Sequence, residues 1–204
     1  MYRILLIITA MCLLVSCDKD ETNSPVVEDF EGNKYETVQI GNQLWMAENI
    51  QTQYDAFGNK ITRYAYQGIE EKAVEFGGLY NYEVAKKICP QGWHLPSVND
   101  WNELELYLGM APELAEIFGF RGEHAGALKE GGQSGFNALF GGYKDGTILF
   151  EGQYFDMGVY AAFWLDVQIS EYEALSVFLH QSSDRVGVLP YDFSSGLSVR
   201  CVED

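Results

Sequence analysis

The side chains that could do chemistry are few in this chain of 204 residues, which holds three histidines and four cysteines. None of the histidines (His94, His124 and His180) stands at a metal-ligand spacing such as His-x-x-x-His or His-Glu-x-x-His. No nucleophile elbow, phosphate-binding loop or dinucleotide fingerprint occurs. We therefore predict no catalytic residue, no metal site and no cofactor, and we expect His94 to bond backbone groups in its turn. The protein is not expected to be an enzyme.

The first cysteines belong to a processing segment. Arg3 and the apolar run over residues 4–15 form the pattern of a signal peptide, and the run is too short to span a bilayer comfortably. Leu14-Val15-Ser16-Cys17 resembles a bacterial lipobox, whose cysteine is acylated and becomes the first residue of the mature chain. The alternative is an ordinary signal peptide with a chance cysteine after it. We predict a lipoprotein signal peptide over residues 1–16 and lipidation at Cys17, where several acyl chains would give stable membrane anchoring.

Residues 17–31 are predicted to be an acidic, flexible tether, because they contain Pro25 and show no periodicity. Asp18-Lys19-Asp20-Glu21 resembles the surface-export signal of lipoproteins in Bacteroidota-type bacteria, although four charged residues also suit a plain solvated tether. We therefore expect a protein anchored in the outer membrane and facing the cell exterior.

The two remaining cysteines are candidates for a disulfide. Cys12 would leave with the signal peptide and Cys17 would carry the lipid, so Cys89 and Cys201 form the one pair left in an oxidising compartment. The alternative is two free buried thiols.

Two helices are predicted on either side of a turn. Apolar residues recur at helical spacing over residues 81–88, and Pro90 stops that run. Ser97 is a good N-cap for the second helix, and Asp100 completes a capping box with it. Gly109 stands where the second helix should end.

Most of the remaining chain has the pattern of short strands. Residues 35–40 and 43–47 predict a hairpin around the two-residue turn Gly41-Asn42. Later segments rich in β-branched and aromatic residues predict further strands. These are residues 140–143, 147–150, 159–167, 173–180, 185–189 and 196–202. Two capped helices followed by an antiparallel meander indicate an α+β fold.

The segment Gly-Trp-His-Leu-Pro-Ser-x-x-x-Trp over residues 92–101 resembles the signature of the Fibrobacter succinogenes major paralogous domain family. Residues 38–49, 78–82, 135–139 with 142–143, and 198–202 agree with other blocks of that family, in the same order. The resemblance covers residues 32–204, which we predict to be the family's domain. It implies a C-type-lectin-like fold, with two main helices packed on a twisted antiparallel sheet with long irregular loops. The calcium-binding triplets of C-type lectins are missing, so no calcium site is carried over.

A net charge of −17 argues against nucleic acid as a partner. Aromatic residues in turns and strands offer a candidate ligand platform, although they could equally be packed in the core. The platform residues are Tyr143, Tyr154, Tyr160, Trp164 and Tyr191. We expect a surface-exposed outer-membrane lipoprotein whose non-catalytic, lectin-like module binds a glycan or a protein. The alternative is a structural or accessory subunit of an outer-membrane transporter or adhesive assembly.

Overall fold

The computed structural model describes residues 25–150 and 152–204. The predicted signal peptide over residues 1–16, the lipidation of Cys17 and the tether up to residue 24 lie outside the described residues and stay predictions. Over the part of the chain that is described, no helix combines the length and the apolar character needed to cross a membrane.

Twelve strands form four antiparallel sheets in the described residues. In chain order they are β1 (Val27–Glu28), β2 (Lys34–Tyr35), β3 (Thr37–Ile40), β4 (Gln43–Met46), β5 (Trp93–His94), β6 (Gly119–Arg121), β7 (Tyr143–Lys144), β8 (Tyr154–Phe155), β9 (Tyr160–Gln168), β10 (Glu173–His180), β11 (Val186–Asp192) and β12 (Val202–Glu203). The two larger sheets have the orders β3-β4-β12-β5 and β6-β11-β10-β9. The pairs β1-β2 and β7-β8 are small ribbons.

The helices are short, so the predicted α+β architecture with two main helices is wrong. The described residues hold α1 (Glu70–Phe76), α2 (Tyr82–Ala85) and α3 (Val98–Tyr107), of 7, 4 and 10 residues. Residues 112–118 contain only a 3-10 turn at Pro112–Leu114. The described part of the domain is mostly β, and it contains no pair of main helices packed on a sheet, which was the arrangement expected of a C-type-lectin-like fold.

The second predicted helix is confirmed in detail, whereas the first shrinks to one turn. Ser97 caps α3, since its hydroxyl accepts from the Asp100 N–H while the Asp100 carboxylate accepts from the Ser97 N–H at 2.8 Å. Helix α2 ends at Ala85. The Lys87 N–H then bonds to the Val84 carbonyl three residues back, and the Lys87 carbonyl accepts the Ala56 N–H at 3.1 Å. The chain directly after α2 is thus bonded to a distant segment.

The chain enters the fold earlier than predicted. Strand β1 pairs with β2, and the Asp29 carboxylate between them accepts a hydrogen bond from the Tyr35 hydroxyl at 2.5 Å. Asp29 is buried. The described end of the predicted flexible tether, residues 25–31, therefore belongs to the folded structure, because its backbone and its one buried carboxylate are bonded to the domain.

The sheet β6-β11-β10-β9 is the central layer of the fold. Its strands alternate, so that one face packs on a cluster around Trp45, Trp101 and Phe136, and the other face packs on a cluster around Tyr80 and Tyr82. Burial on both faces explains the nearly continuous apolar sequence of β9 and β10. Only part of the second face remains open to solvent.

Cys89 and Cys201 form a disulfide, with Cα atoms 5.9 Å apart. This confirms the predicted bond and excludes the alternative of two free thiols. Cys89 follows α2 and Cys201 directly precedes β12, which pairs with both β4 and β5. The bond therefore ties the middle of the chain to its last strand, at the sheet that also holds the first hairpin.

Candidate functional site: an aromatic cleft

An open cleft of about 460 Å³ lies on the second face of the central sheet. It receives side chains from strands β6, β9, β10 and β11 and from the β7-β8 ribbon and the turn after it. Its lining consists of Phe120, Tyr143, Asp156, Tyr160, Phe178, Leu189, Pro190 and Tyr191, of which five are aromatic. We call this surface the aromatic cleft. An apolar concavity with a few polar groups is the usual form of a small-ligand site.

The floor of the cleft follows from the register of three strands. Gly187 of β11 lies opposite Phe178 of β10 on one side and opposite Phe120 of β6 on the other. Because Gly187 has no side chain, the Phe120 ring can lie over its backbone, and an added Cβ would come within 2.9 Å of that ring. Phe178 is almost fully buried, at 5% exposure, whereas Phe120 is 42% exposed. The floor thus has a fixed part and a more accessible edge.

The wall of the cleft is Tyr143 from β7. Its ring meets the Phe178 ring at 5.7 Å and an interplanar angle of 85°, and it meets the Tyr191 ring at 5.6 Å and 88°. Tyr160 in turn meets Phe178 at 6.0 Å and 78°. Edge-to-face contacts of this kind add stability beyond area burial. The four rings therefore hold one another in place, without a flat common plane.

Asp156 is the only charged side chain among the described residues that line the cleft. It follows β8 with a backbone φ of 60°, a left-handed conformation that Asp and Asn tolerate better than most residues. Its carbonyl accepts hydrogen bonds from the N–H groups of Val159 and Tyr160, both at 2.9 Å. The turn that carries the carboxylate is thereby fixed to the start of β9.

The phenol groups of Tyr143 and Tyr191 stay protonated over the physiological range. Burial raises the pKa of Tyr143, and the carboxylates of Asp156 and Asp145 add to this, while contact with the Tyr191 phenol works in the opposite direction. Burial is also the main cause that raises the pKa of Tyr191, with contributions from Tyr143 and Asp145. Both hydroxyls can therefore donate as well as accept hydrogen bonds.

Three of the five residues predicted as a ligand platform come together in the cleft: Tyr143, Tyr160 and Tyr191. Tyr154 does not, because the alternation of β8 turns it to the other side of the ribbon, where its ring lies 5.3 Å from that of Tyr66. The prediction that Trp164 belongs to the platform is wrong. Trp164 is 1% exposed, and its Nε1 donates to the Tyr80 carbonyl at 2.7 Å. It is a core residue and cannot contact a ligand on this surface.

Sequence reasoning missed Phe120, Phe178 and Asp156. Alternation along the correctly predicted strand over residues 173–180 could have placed Phe178 on the same face as His180. Nothing comparable indicated Asp156, whose position depends on how the turn after β8 folds back on the sheet.

Residues 38–203 match the model of the family described as the Fibrobacter succinogenes major domain. The chain belongs to this family. Comparisons with the curated proteins and with the solved structures found no match. The family membership predicted from the sequence is thus confirmed.

The signature segment of this Fibrobacter succinogenes major domain has a structural role. Its Ser97 and Asp100 cap α3, and His94 lies between two carboxylates, with Nε2 3.2 Å from Asp100 Oδ2 and Nδ1 2.8 Å from Asp204 Oδ1. The expectation that His94 bonds backbone groups is corrected, since both of its ring nitrogens face carboxylates. The segment therefore joins α3 to the end of the chain, and its residues are not among those that line the cleft.

The domain also contains a buried ionic cluster of Glu105, Arg121 and His124. Glu105 and Arg121 are fully buried and paired, and His124 Nε2 lies 3.0 Å from the other Glu105 oxygen. Arg121 also donates to the carbonyls of Ala115 and Ile117, at 3.0 and 3.1 Å. The cluster thus fixes the loop before β6. Residues 25–150 and 152–204 contain no group of three or more His, Cys, Asp or Glu side chains able to hold a metal ion.

Proposed function

We propose that this chain is a surface-exposed outer-membrane lipoprotein whose folded domain is a non-catalytic module that binds a glycan in the aromatic cleft. The observation that carries the proposal is the convergence of five aromatic side chains and one carboxylate in a single concavity. Sugar rings have apolar C–H faces and a rim of hydroxyls. Tyrosine suits both, because it offers a large apolar ring and a polar hydroxyl at low conformational cost.

The rigidity of the cleft supports the same proposal. Tyr160, Phe178 and Tyr191 project from long strands of the central sheet, whose other face is packed on the main core. Sites on strands are held more firmly than sites on loops, and a preformed site avoids the entropic cost of ordering side chains on binding.

A glycan array probed with the mature protein tests this function. We expect defined hits that are lost on Tyr160→Ala or Tyr191→Ala, since each change removes a ring from the cleft. Tyr172→Ala is the matched control, because Tyr172 is 65% exposed and does not line the cleft. Equal binding by all three variants would refute a glycan site in the cleft.

The membrane location rests on the lipobox-like segment before Cys17 and on the charged residues after it. Metabolic labelling with a fatty acid should mark the wild type and leave Cys17→Ser unlabelled. Protease added to intact cells should digest the domain if it faces the exterior. A protected domain in labelled, intact cells would exclude surface exposure while leaving the lipid anchor in place.

A second candidate function is that of an accessory subunit docked on an outer-membrane protein. It is favoured by an apolar turn over residues 147–150, where Ile148 is 96% exposed and Leu149 is 82% exposed. Adjacent exposed apolar side chains of this kind are typical of contact sites. Purification from native membranes should then recover a defined barrel protein with the wild type, and the double change Ile148→Asp with Leu149→Asp should release it. Retention by the double variant would argue against docking through this turn.

A further inference from the structure

The ring planes of the aromatic cleft restrict what can bind there. A flat sugar ring stacks well on one ring or on several coplanar rings. Here Tyr143 is nearly perpendicular to both Phe178 and Tyr191, at 85° and 88°, and Tyr160 stands at 78° to Phe178. The rings form a cup, which suits a compact, rounded group better than an extended flat one.

The one charged side chain among the described residues that line the cup is a carboxylate. The Asp156 carboxylate lies at the wall, and both Asp156 and the buried Asp145 are close enough to raise the pKa of Tyr143. The nearest lysine of the same ribbon, Lys144, is directed away, since its Nζ lies 4.7 Å from the centre of the Tyr64 ring. No lysine or arginine is among the described residues that line the cleft.

Two basic side chains come near the edge of the cup. Arg185 donates to the Phe120 carbonyl and lines a different groove on the outer side of that residue. The His180 ring meets the Tyr160 ring at 4.8 Å. Neither side chain is among those that line the cleft, so the cup keeps aromatic rings and a carboxylate as its recognition groups.

Aromatic rings attract a cation through their quadrupole, and a nearby carboxylate adds a direct charge interaction. We propose that the cup recognises an ammonium group, either a protonated amine or a quaternary ammonium, carried by the bound glycan. This inference rests on the proposed glycan-binding function and adds the chemical class of the group that enters the cleft. A neutral sugar would use the rings alone, whereas an ammonium group uses the rings and Asp156 together.

The test compares choline with its uncharged isostere 3,3-dimethylbutan-1-ol, using calorimetry on the mature protein. The two probes have the same shape, so the ratio of their affinities isolates the charge. We expect choline to bind about ten-fold more tightly. Equal affinities, or tighter binding of the alcohol, would overturn the proposal.

Asp156→Asn should weaken choline about three- to five-fold, as for an exposed ion pair, and leave the alcohol unchanged. Asn tolerates the left-handed backbone of this position as Asp does, so the turn should keep its shape. Asp184→Asn is the control for overall charge, because it removes a surface carboxylate outside the cleft. An equal loss in both variants would show that net charge, and not the cup, attracts the cation.

Glycan probes separate this inference from the function on which it rests. Glucosamine oligomers carry ammonium groups, and their N-acetylated counterparts do not. Preference for the amine form, lost in Tyr191→Ala, supports both proposals. Binding of only the acetylated form in the cleft would refute the ammonium group and retain the glycan site. Choline binding that depends on Tyr191, together with no binding of any glycan, would retain the cup and refute the glycan function.

Discussion

Removal of the disulfide is expected to cost the domain a large part of its stability. The bond between Cys89 and Cys201 spans 112 residues of sequence. In the chain-entropy treatment, a bond across a loop of that length lowers the entropy of the unfolded chain. Removing it therefore lowers the free energy of unfolding by about 4.8 kcal/mol. Native domains have a free energy of unfolding of only about 5–15 kcal/mol, so this one bond is a substantial share.

The loss in the free energy of unfolding should be the same for Cys89→Ala, for Cys201→Ala and for the double change. Each single change opens the whole loop, and Cys201, which is completely buried, loses only a sulfur atom to a small cavity. For a domain of this size, each kcal/mol corresponds to about 2–4 °C, so the melting temperature should fall by about 10–20 °C.

Urea and thermal unfolding of the mature protein measure this effect. A reducing agent should lower the wild type to the level of the double variant and leave the double variant unchanged. Additive losses in the two single variants would refute the reasoning, because residues that act only through a shared bond cannot contribute independently. A loss below about 1 kcal/mol would show that other contacts already restrict the unfolded chain.

Three further changes test the signature segment, the buried ionic cluster and the packing around the cleft. Ser97→Ala should cost about 1 kcal/mol in urea unfolding. Burial alone would raise the pKa of Asp100, but hydrogen bonds from Ser97 and His94 hold it below its usual value. The stabilising effect of this carboxylate is thus present above about pH 4, the range of a free Asp, and is lost as the pH falls through the lowered pKa. NMR titration of Ser97→Ala should show that the pKa of Asp100 rises. Glu105→Ala should cost about 3–5 kcal/mol in urea unfolding by leaving Arg121 buried and unpaired, and a loss below 1 kcal/mol would contradict that pairing. Gly187→Ala should displace the Phe120 ring and weaken choline binding with little change in melting temperature; unchanged binding would show that Phe120 is not part of the cup.

The features that sequence predicted well are those decided by neighbouring residues. The capping box of α3 needs only Ser97 and Asp100, and the first hairpin needs only the Gly41-Asn42 turn between two alternating segments. The disulfide followed from the number of cysteines. The capping box and the hairpin are each decided within a few residues, and the disulfide has only one possible pairing of the two remaining cysteines.

The errors occurred where distant segments compete with local preference. The chain after α2 is held by distant segments, since the Lys87 carbonyl accepts the Ala56 N–H and Cys89 is bonded to Cys201. Residues 147–150 were predicted to be a strand, but the Asp145 carboxylate accepts the Thr147 N–H at 2.7 Å and starts a turn there. The ribbon partner of β7 is β8 instead. Trp164 was included in the ligand platform as an aromatic residue of a predicted strand, and the sequence of that strand alone does not show that both faces of its sheet are covered.

The aromatic cleft depends on the pairing of distant strands, which local sequence signals do not show. Its rings come from five separate strands. Phe120 and Phe178 meet only because β6, β10 and β11 pair in the register that sets Gly187 between them. If the pairing of β10 slipped by one residue, the Phe178 side chain would face the main core and the Val177 side chain would face the cleft. Such a slip would remove apolar side chains of β10 from the main core. The register that buries one face of the sheet therefore also assembles the cup on the other. Stability of the core and recognition in the cleft are set by the same strand pairing, so variants that loosen the core should weaken ligand binding even where they contact no ligand.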